Sequence, residues 1–118
     1  MKYYRLLNGL YQEDVSKRSG VDRITIVRCE NDQLIPSLEL CNKIAIGIGV
    51  SPYLLYDDYL SFVDRDYGRK IKEIRKKNKM TQEKFGQSLK VHRKTVLRWE
   101  KSKLKPTRKH YLILKEYL

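Results

Sequence analysis

Apolar residues recur along the chain at spacings of three and four, and Gly and Pro are sparse, so the pattern predicts helices throughout and no strands. In the C-terminal half, Ile71 and Ile74 mark one side of a basic helix over residues 67–78. Thr81 is placed to N-cap a helix over residues 82–89, Lys90 and Val91 make a tight turn, and residues 93–101 form the next helix. Residues 102–106 break the periodicity, and Thr107 caps a final helix expected to carry Tyr111, Leu114 and Leu118. The N-terminal half follows the same order, with helices expected over residues 2–8, 12–19, 23–31 and 37–48. Gly49 ends the fourth, and Ser51-Pro52 opens a short fifth through Leu55. Residues 57–64 are the expected connection, and their apolar side chains suggest a packed or helical segment.

The shared order reflects a gapless internal repeat. Gln12, Glu13, Val21, Arg23, Thr25, Arg28, Glu30, Leu34 and Pro36 return seventy residues later as Gln82, Glu83, Val91, Arg93, Thr95, Arg98, Glu100, Leu104 and Pro106, and Arg5 and Asn8 return as Arg75 and Asn78. A repeat of this period is one compact unit used twice. We therefore expect two small all-α domains, residues 1–60 and 66–118. The recurring set includes Gln, Arg and Thr, so it carries more than a core.

Charge separates the two copies. The chain carries +12, yet residues 1–64 hold seven Lys/Arg against nine Asp/Glu, for −2, while residues 65–118 hold nineteen against five, for +14. The basic half points to a polyanion, either nucleic acid or an anionic membrane surface. No apolar run approaches the roughly 18 residues of a membrane span, and the N-terminus lacks the apolar segment of a secretory signal. A cytoplasmic protein without membrane association is expected. Cys29 and Cys41 lie in apolar surroundings and read as core thiols of a reducing compartment. His92 and His110 are isolated, so no metal site or cofactor is expected. Paired carboxylates, a nucleophile–base set and a phosphate loop are all lacking, which argues against an enzyme.

Two short helices that cross at a tight turn impose particular residue types. The first helix needs an inward apolar residue (Val15, Phe85) followed by a small one (Ser16, Gly86), where the second helix passes close by. A turn residue (Gly20, Lys90) and a buried apolar one (Val21, Val91) follow. The second helix turns Ile26 and Cys29, or Val96 and Trp99, to the core. The opposite face is left with Arg23, Ile24 and Arg28, or Arg93, Lys94 and Arg98. A helix that enters a major groove with one face and packs with the other has this layout.

On these residues both halves resemble the phage-repressor family of helix-turn-helix proteins (Cro/CI-like, XRE-type). The motif stands here as Gln12 to Glu30 and again as Thr81 to Glu100, and the stretch from Gly49 to Leu55 resembles the family's last helix. The resemblance implies two tandem lambda-repressor-like domains of four to five short helices each. It implies base contacts from Arg93, Lys94 and Arg98, with Arg23, Ile24 and Arg28 as their counterparts. Phosphate contacts fall on Gln82, Gln12, Lys101, Lys103 and Lys105, and structural pairs join Arg75 to Glu100 and Arg5 to Glu30. Arginine suits base readout because its guanidinium fits guanine O6 and N7 with two hydrogen bonds. Lys76, Lys77 and Lys79 read equally as phosphate contacts or as a solvated basic face.

The first copy departs from the pattern. Tyr11 stands where Thr usually caps, at a cost of about 1 kcal/mol. Ile24 suits a thymine methyl or a protein surface, and Asp22, Glu30 and Asp32 surround its helix with negative charge. In the second copy Lys90 stands where Gly often allows a positive φ, which implies strain of about 1 kcal/mol. The expected function is a double-stranded-DNA-binding transcription regulator, a repressor that reads mainly with residues 66–118. Two modules on a short tether can read neighbouring half-sites, and a homodimer that uses only the basic halves on a palindrome fits equally well. The alternative is an interaction module, such as an antirepressor or antitoxin, that engages a protein partner through residues 1–60.

Overall fold

The computed structural model describes all residues from Met1 to Leu118 and is all-helical, with nine α-helices and two 3-10 turns. The helices are α1 (Lys2–Leu7), α2 (Gln12–Ser19), α3 (Arg23–Glu30), α4 (Leu38–Ile48), α5 (Asp58–Asp64), α6 (Tyr67–Lys77), α7 (Gln82–Leu89), α8 (Arg93–Glu100) and α9 (Arg108–Leu114). The 3-10 turns are Pro52–Leu55 and Lys115–Tyr117. The chain divides into two compact units, Met1–Leu60 and Ser61–Leu118.

In unit 1, Val15, Val21, Ile26, Cys29, Ile44 and Ile48 form the buried cluster, and Met1, Tyr4, Leu10, Val50 and Leu55 pack against its edge. These residues come from every element of the unit at helical spacing, so each short helix contributes one apolar stripe to a single core. Ser37 caps α4 by accepting from the Leu40 amide at 3.2 Å, and Gly49 ends it in the left-handed region at φ +87°. At α2, the Tyr11 side chain makes no cap hydrogen bond. Its backbone N–H donates to the Asp14 carboxylate at 2.8 Å instead, which offsets part of the cost of losing a Thr cap.

Unit 2 fills its core with larger residues. Ile71, Phe85, Leu89, Val96, Trp99 and Leu114 are buried. Where unit 1 uses Val15 and Cys29, unit 2 has Phe85 and Trp99, whose rings lie 5.6 Å from Tyr117 and 5.4 Å from the His110 ring. Aromatic side chains bury enough area to make a short helical unit viable. Thr81 and Thr107 cap α7 and α9 by accepting from the amides of Lys84 and His110, each at 3.2 Å.

The fold differs from the sequence expectation at two places. The final helix stops at Leu114 and tightens into a 3-10 turn, which leaves Leu118 66% exposed rather than on a core stripe. Val91 is half-buried, whereas its counterpart Val21 is buried. The connection is helical and packed, as its apolar side chains suggest: residues 58–64 are a helix with Leu60, Phe62 and Val63 buried. Phe62 packs on Tyr111 at 5.2 Å, and its carbonyl accepts from Lys70 Nζ at 3.2 Å, so the second half of this segment is part of the unit 2 core.

Candidate nucleic-acid interface

The turn between α2 and α3 is held differently in the two units. Gly20 ends α2 at φ +74°, and the Ser16 hydroxyl donates to the Val21 carbonyl at 2.6 Å. In unit 2, Lys90 takes the same left-handed conformation at φ +59°. At Gly86 a Cβ would lie 2.7 Å from the Val91 carbonyl oxygen, so this crossing leaves no room for a side chain. Both solutions place the next helix directly against the core.

The candidate recognition helices, α3 and α8, are each capped by the preceding residue. Asp22 accepts from the Thr25 amide at 2.7 Å. That hydrogen bond is the main cause holding its carboxyl below the usual aspartate range, so a full negative charge stands at the start of α3. In α8 the cap is His92, whose Nδ1 accepts from the Lys94 amide at 3.1 Å. The sequence alone presents His92 as an isolated residue. The signal that locates its role is its register with Asp22, one position before Arg93.

Burial sorts the two recognition helices into inner and outer faces. Ile26 and Cys29 in α3, and Val96 and Trp99 in α8, are buried. Arg23, Ile24 and Arg28 are exposed on α3, as are Arg93, Lys94 and Arg98 on α8. Three side chains on each helix are therefore free to meet an external surface. Burial also pushes the Cys29 thiol up, and Cys29 and Cys41 are both buried and not joined in a disulfide.

Each recognition helix is pinned to the first helix of its unit. Arg5 Nε and Nη2 donate to Glu30 at 2.8 and 2.9 Å, and Nη1 donates to the Leu10 carbonyl at 2.9 Å. Arg75 makes the same three bonds, at 2.8 and 3.0 Å to Glu100 and 3.0 Å to the Met80 carbonyl. The guanidinium thus joins the end of the recognition helix to the loop ahead of the preceding one. Gln12 is half-buried and its Nε2 donates to Glu30 Oε1 at 3.4 Å; Gln82 is likewise half-buried at the first turn of α7.

The loop after α8 exposes Lys101, Lys103 and Lys105, in a turn fixed by Ser102 at φ +57° and by the Lys103 amide donating to the Arg98 carbonyl at 2.9 Å. At the matching positions unit 1 has Asn31, Gln33 and Ile35. Unit 2 therefore presents six exposed cations on and just after its recognition helix, and unit 1 presents two. In unit 1, Lys2, Tyr11, Gln12, Glu13 and Arg23 border an open hollow of about 430 Å³ beside the helix starts. No group of His, Cys, Asp and Glu is arranged to hold a metal ion, and no helix is long and apolar enough to cross a membrane.

The helix-turn-helix family model matches residues 1–55 and again residues 71–118. A curated relative, described as an uncharacterised HTH-type transcriptional regulator of Methanocaldococcus jannaschii, is 43% identical over 60 residues, which cover 49% of this chain and 91% of that protein. Nearly the whole of that relative thus corresponds in length to one half of the present chain. No solved structure matches. With two matches that span most of its length, two recognition helices in register and the same Arg–Glu brace in each unit, the chain belongs to the helix-turn-helix family, in its Cro/CI-like form.

Proposed function

We propose that this protein is a sequence-specific double-stranded-DNA-binding transcription regulator that acts as a repressor and reads the major groove mainly with residues 66–118. Family membership and the relative's description as a transcriptional regulator support DNA-binding regulation. The observation that carries the division of labour is the contrast between matched surfaces. Arg93, Lys94, Arg98, Lys101, Lys103 and Lys105 of unit 2 answer to Arg23, Ile24, Arg28, Asn31, Gln33 and Ile35 of unit 1. In this reading Arg93, Lys94 and Arg98 touch base edges, while Gln82 and the three loop lysines hold phosphates and set the register. The charged cap Asp22 opposes phosphate at the start of α3, so unit 1 contributes little DNA affinity and serves chain association instead. Repression needs only occupancy of a site that overlaps a promoter.

Selection of bound sequences from a random duplex pool, followed by titration of Arg93→Ala and Arg23→Ala on the winning sequence, tests the proposal. We expect a defined consensus, a large loss for Arg93→Ala and a small one for Arg23→Ala. Absence of any consensus would overturn sequence-specific reading, and equal losses would overturn the division between units. Transcription in vitro from a promoter that carries the selected site should fall when the protein is added. Stimulation would overturn the repressor assignment.

A further inference from the structure

We infer that the outer face of α1, centred on Tyr3, Leu6 and Leu7, docks a second copy of this chain through the same face. This rests on the assignment of chain association to unit 1, and it names the surface and the occupant. Tyr3, Leu6 and Leu7 are 67%, 58% and 67% exposed. Spaced at i, i+3 and i+4, they form one stripe on the helix, while Arg5 turns inward to Glu30. Packing within the unit does not account for them, because the repeat supplies an internal control. The matched positions on α6 are Glu73, Lys76 and Lys77, so the same fold is built there with charges.

Unit 1 exposes further apolar residues. The Asn8 carboxamide donates to the Ile48 carbonyl at 2.9 Å, which ties the end of α1 to the end of α4. The 3-10 turn that follows α4 exposes Tyr53 and Leu54, each by about half. Ten of the fourteen exposed large apolar residues of the chain lie in unit 1, so this character belongs to that unit and not to the protein surface in general.

Charge selects the occupant. Residues 65–118 carry +14 and repel their counterparts in another chain, whereas residues 1–64 carry only −2. An apolar stripe on a near-neutral body suits a partner that is itself apolar and near-neutral, and a second α1 meets both requirements. A two-fold axis across the stripe would set Leu6 and Leu7 against their own copies, with Tyr3 at either side, in a self-complementary contact. DNA is a poor occupant because Leu6 and Leu7 stand where unit 2 carries lysines. The contact would join two basic readers in one particle, which raises their effective concentration on a symmetric site.

Sedimentation equilibrium of the full chain without DNA, in high salt and over a hundredfold concentration range, tests the inference. The expected mass is twice the 14.1 kDa of one chain. The variant Leu6→Lys/Leu7→Lys, and separately Tyr3→Glu, borrow residues that unit 2 already accommodates; both should sediment as monomers with unchanged helical circular dichroism. Ile46→Glu is the control, since Ile46 is 71% exposed on α4 and unit 2 has Glu116 at the matching position. It should leave the dimer intact. A monomeric parent chain, a dimer that survives the α1 variants, or equal dissociation by Ile46→Glu would each overturn the assignment. Binding of one selected half-site by the monomeric α1 variant separates the two claims: if it still binds while the parent chain is a monomer, only the docking inference fails.

Discussion

Arg75 grips Glu100 through two parallel hydrogen bonds, at 2.8 and 3.0 Å, and its third nitrogen donates to the Met80 carbonyl at 3.0 Å. The side chains are only 13% and 4% exposed, so the ion pair is largely removed from water. A pair in that position stabilises weakly as a whole, but the loss of one partner strands a desolvated charge. Glu100→Ala should therefore destabilise unit 2 by about 3–5 kcal/mol. The double variant Arg75→Met/Glu100→Leu should cost less than either single change. Urea denaturation of the parent chain, Arg75→Met, Glu100→Leu and the double variant gives the coupling directly, and simple additivity would show that the pair is not a unit.

The backbone of unit 2 carries strain that unit 1 avoids. Lys79 and Lys90 adopt φ +55° and +59°, where unit 1 has Gly9 and Gly20 at +67° and +74°. An L-residue with a side chain pays about 1 kcal/mol for this conformation. Lys79→Gly and Lys90→Gly should each stabilise unit 2 by somewhat less than that, because glycine also loosens the unfolded chain. Thermal unfolding should move up by a few degrees for each change, roughly in line with 4–8 °C per kcal/mol for a unit of this size. Gly20→Ala should move unit 1 the other way.

At Gly86 the constraint is contact and not φ. A methyl group there would sit 2.7 Å from the Val91 carbonyl oxygen, a backbone atom that cannot swing aside. Gly86→Ala should cost about 1–3 kcal/mol by forcing α7 and α8 apart. Loss of DNA binding should accompany it even below the unfolding temperature, since α8 carries Arg93, Lys94 and Arg98. An unchanged melting temperature would show that the crossing is looser than the structure gives.

The sequence made the repeat, the order of helices, the caps at Thr81 and Thr107, and the outward placement of Arg93, Lys94 and Arg98 legible, because each depends on local spacing. It hid what depends on three-dimensional neighbours. Residues 57–64 read as a packed or helical connection, but the sequence does not say what they pack on: the ring of Tyr111 against Phe62 is 49 residues away in the chain. Leu118 fits the three–four rhythm of Tyr111 and Leu114, but the backbone tightens after Leu114 and turns it outward. His92 became a cap only when register with Asp22 was combined with its ring nitrogen 3.1 Å from the Lys94 amide. The apolar stripe on α1 needed exposure values, since Tyr3, Leu6 and Leu7 look like core residues in a linear reading.

Asp22 introduces a pH dependence at the start of α3. Its carboxyl is held below the ordinary value chiefly by the Thr25 amide. A folded-state pKa below the unfolded one means that the carboxylate form stabilises the fold. That contribution is fully present above about pH 4, near the ordinary aspartate value, and is lost as pH falls through the lower folded-state value. Asn also caps helices but does not titrate in this range. The stability difference between the parent chain and Asp22→Asn should thus shrink as the solution is acidified below pH ~4. A difference that stays constant with pH would mean that the cap acts without its charge.

The lysines after α8 offer a quantitative test of phosphate contact. If Lys101, Lys103 and Lys105 each neutralise one phosphate, each contributes about 0.9 to the slope of log affinity against log salt. Conversion to the residues of unit 1, by Lys101→Asn, Lys103→Gln and Lys105→Ile, should flatten the slope by roughly 2.7 and weaken all sequences alike. Lys94→Ile, which copies Ile24, should act differently. It should alter the preferred base at one position, toward a thymine methyl, and change the slope by no more than about one unit. Fluorescence anisotropy on the selected site and on single-base variants, from low to moderate salt, separates the two effects. A loop triple variant that changed base preference without changing the slope would place those lysines in the groove and not on the backbone.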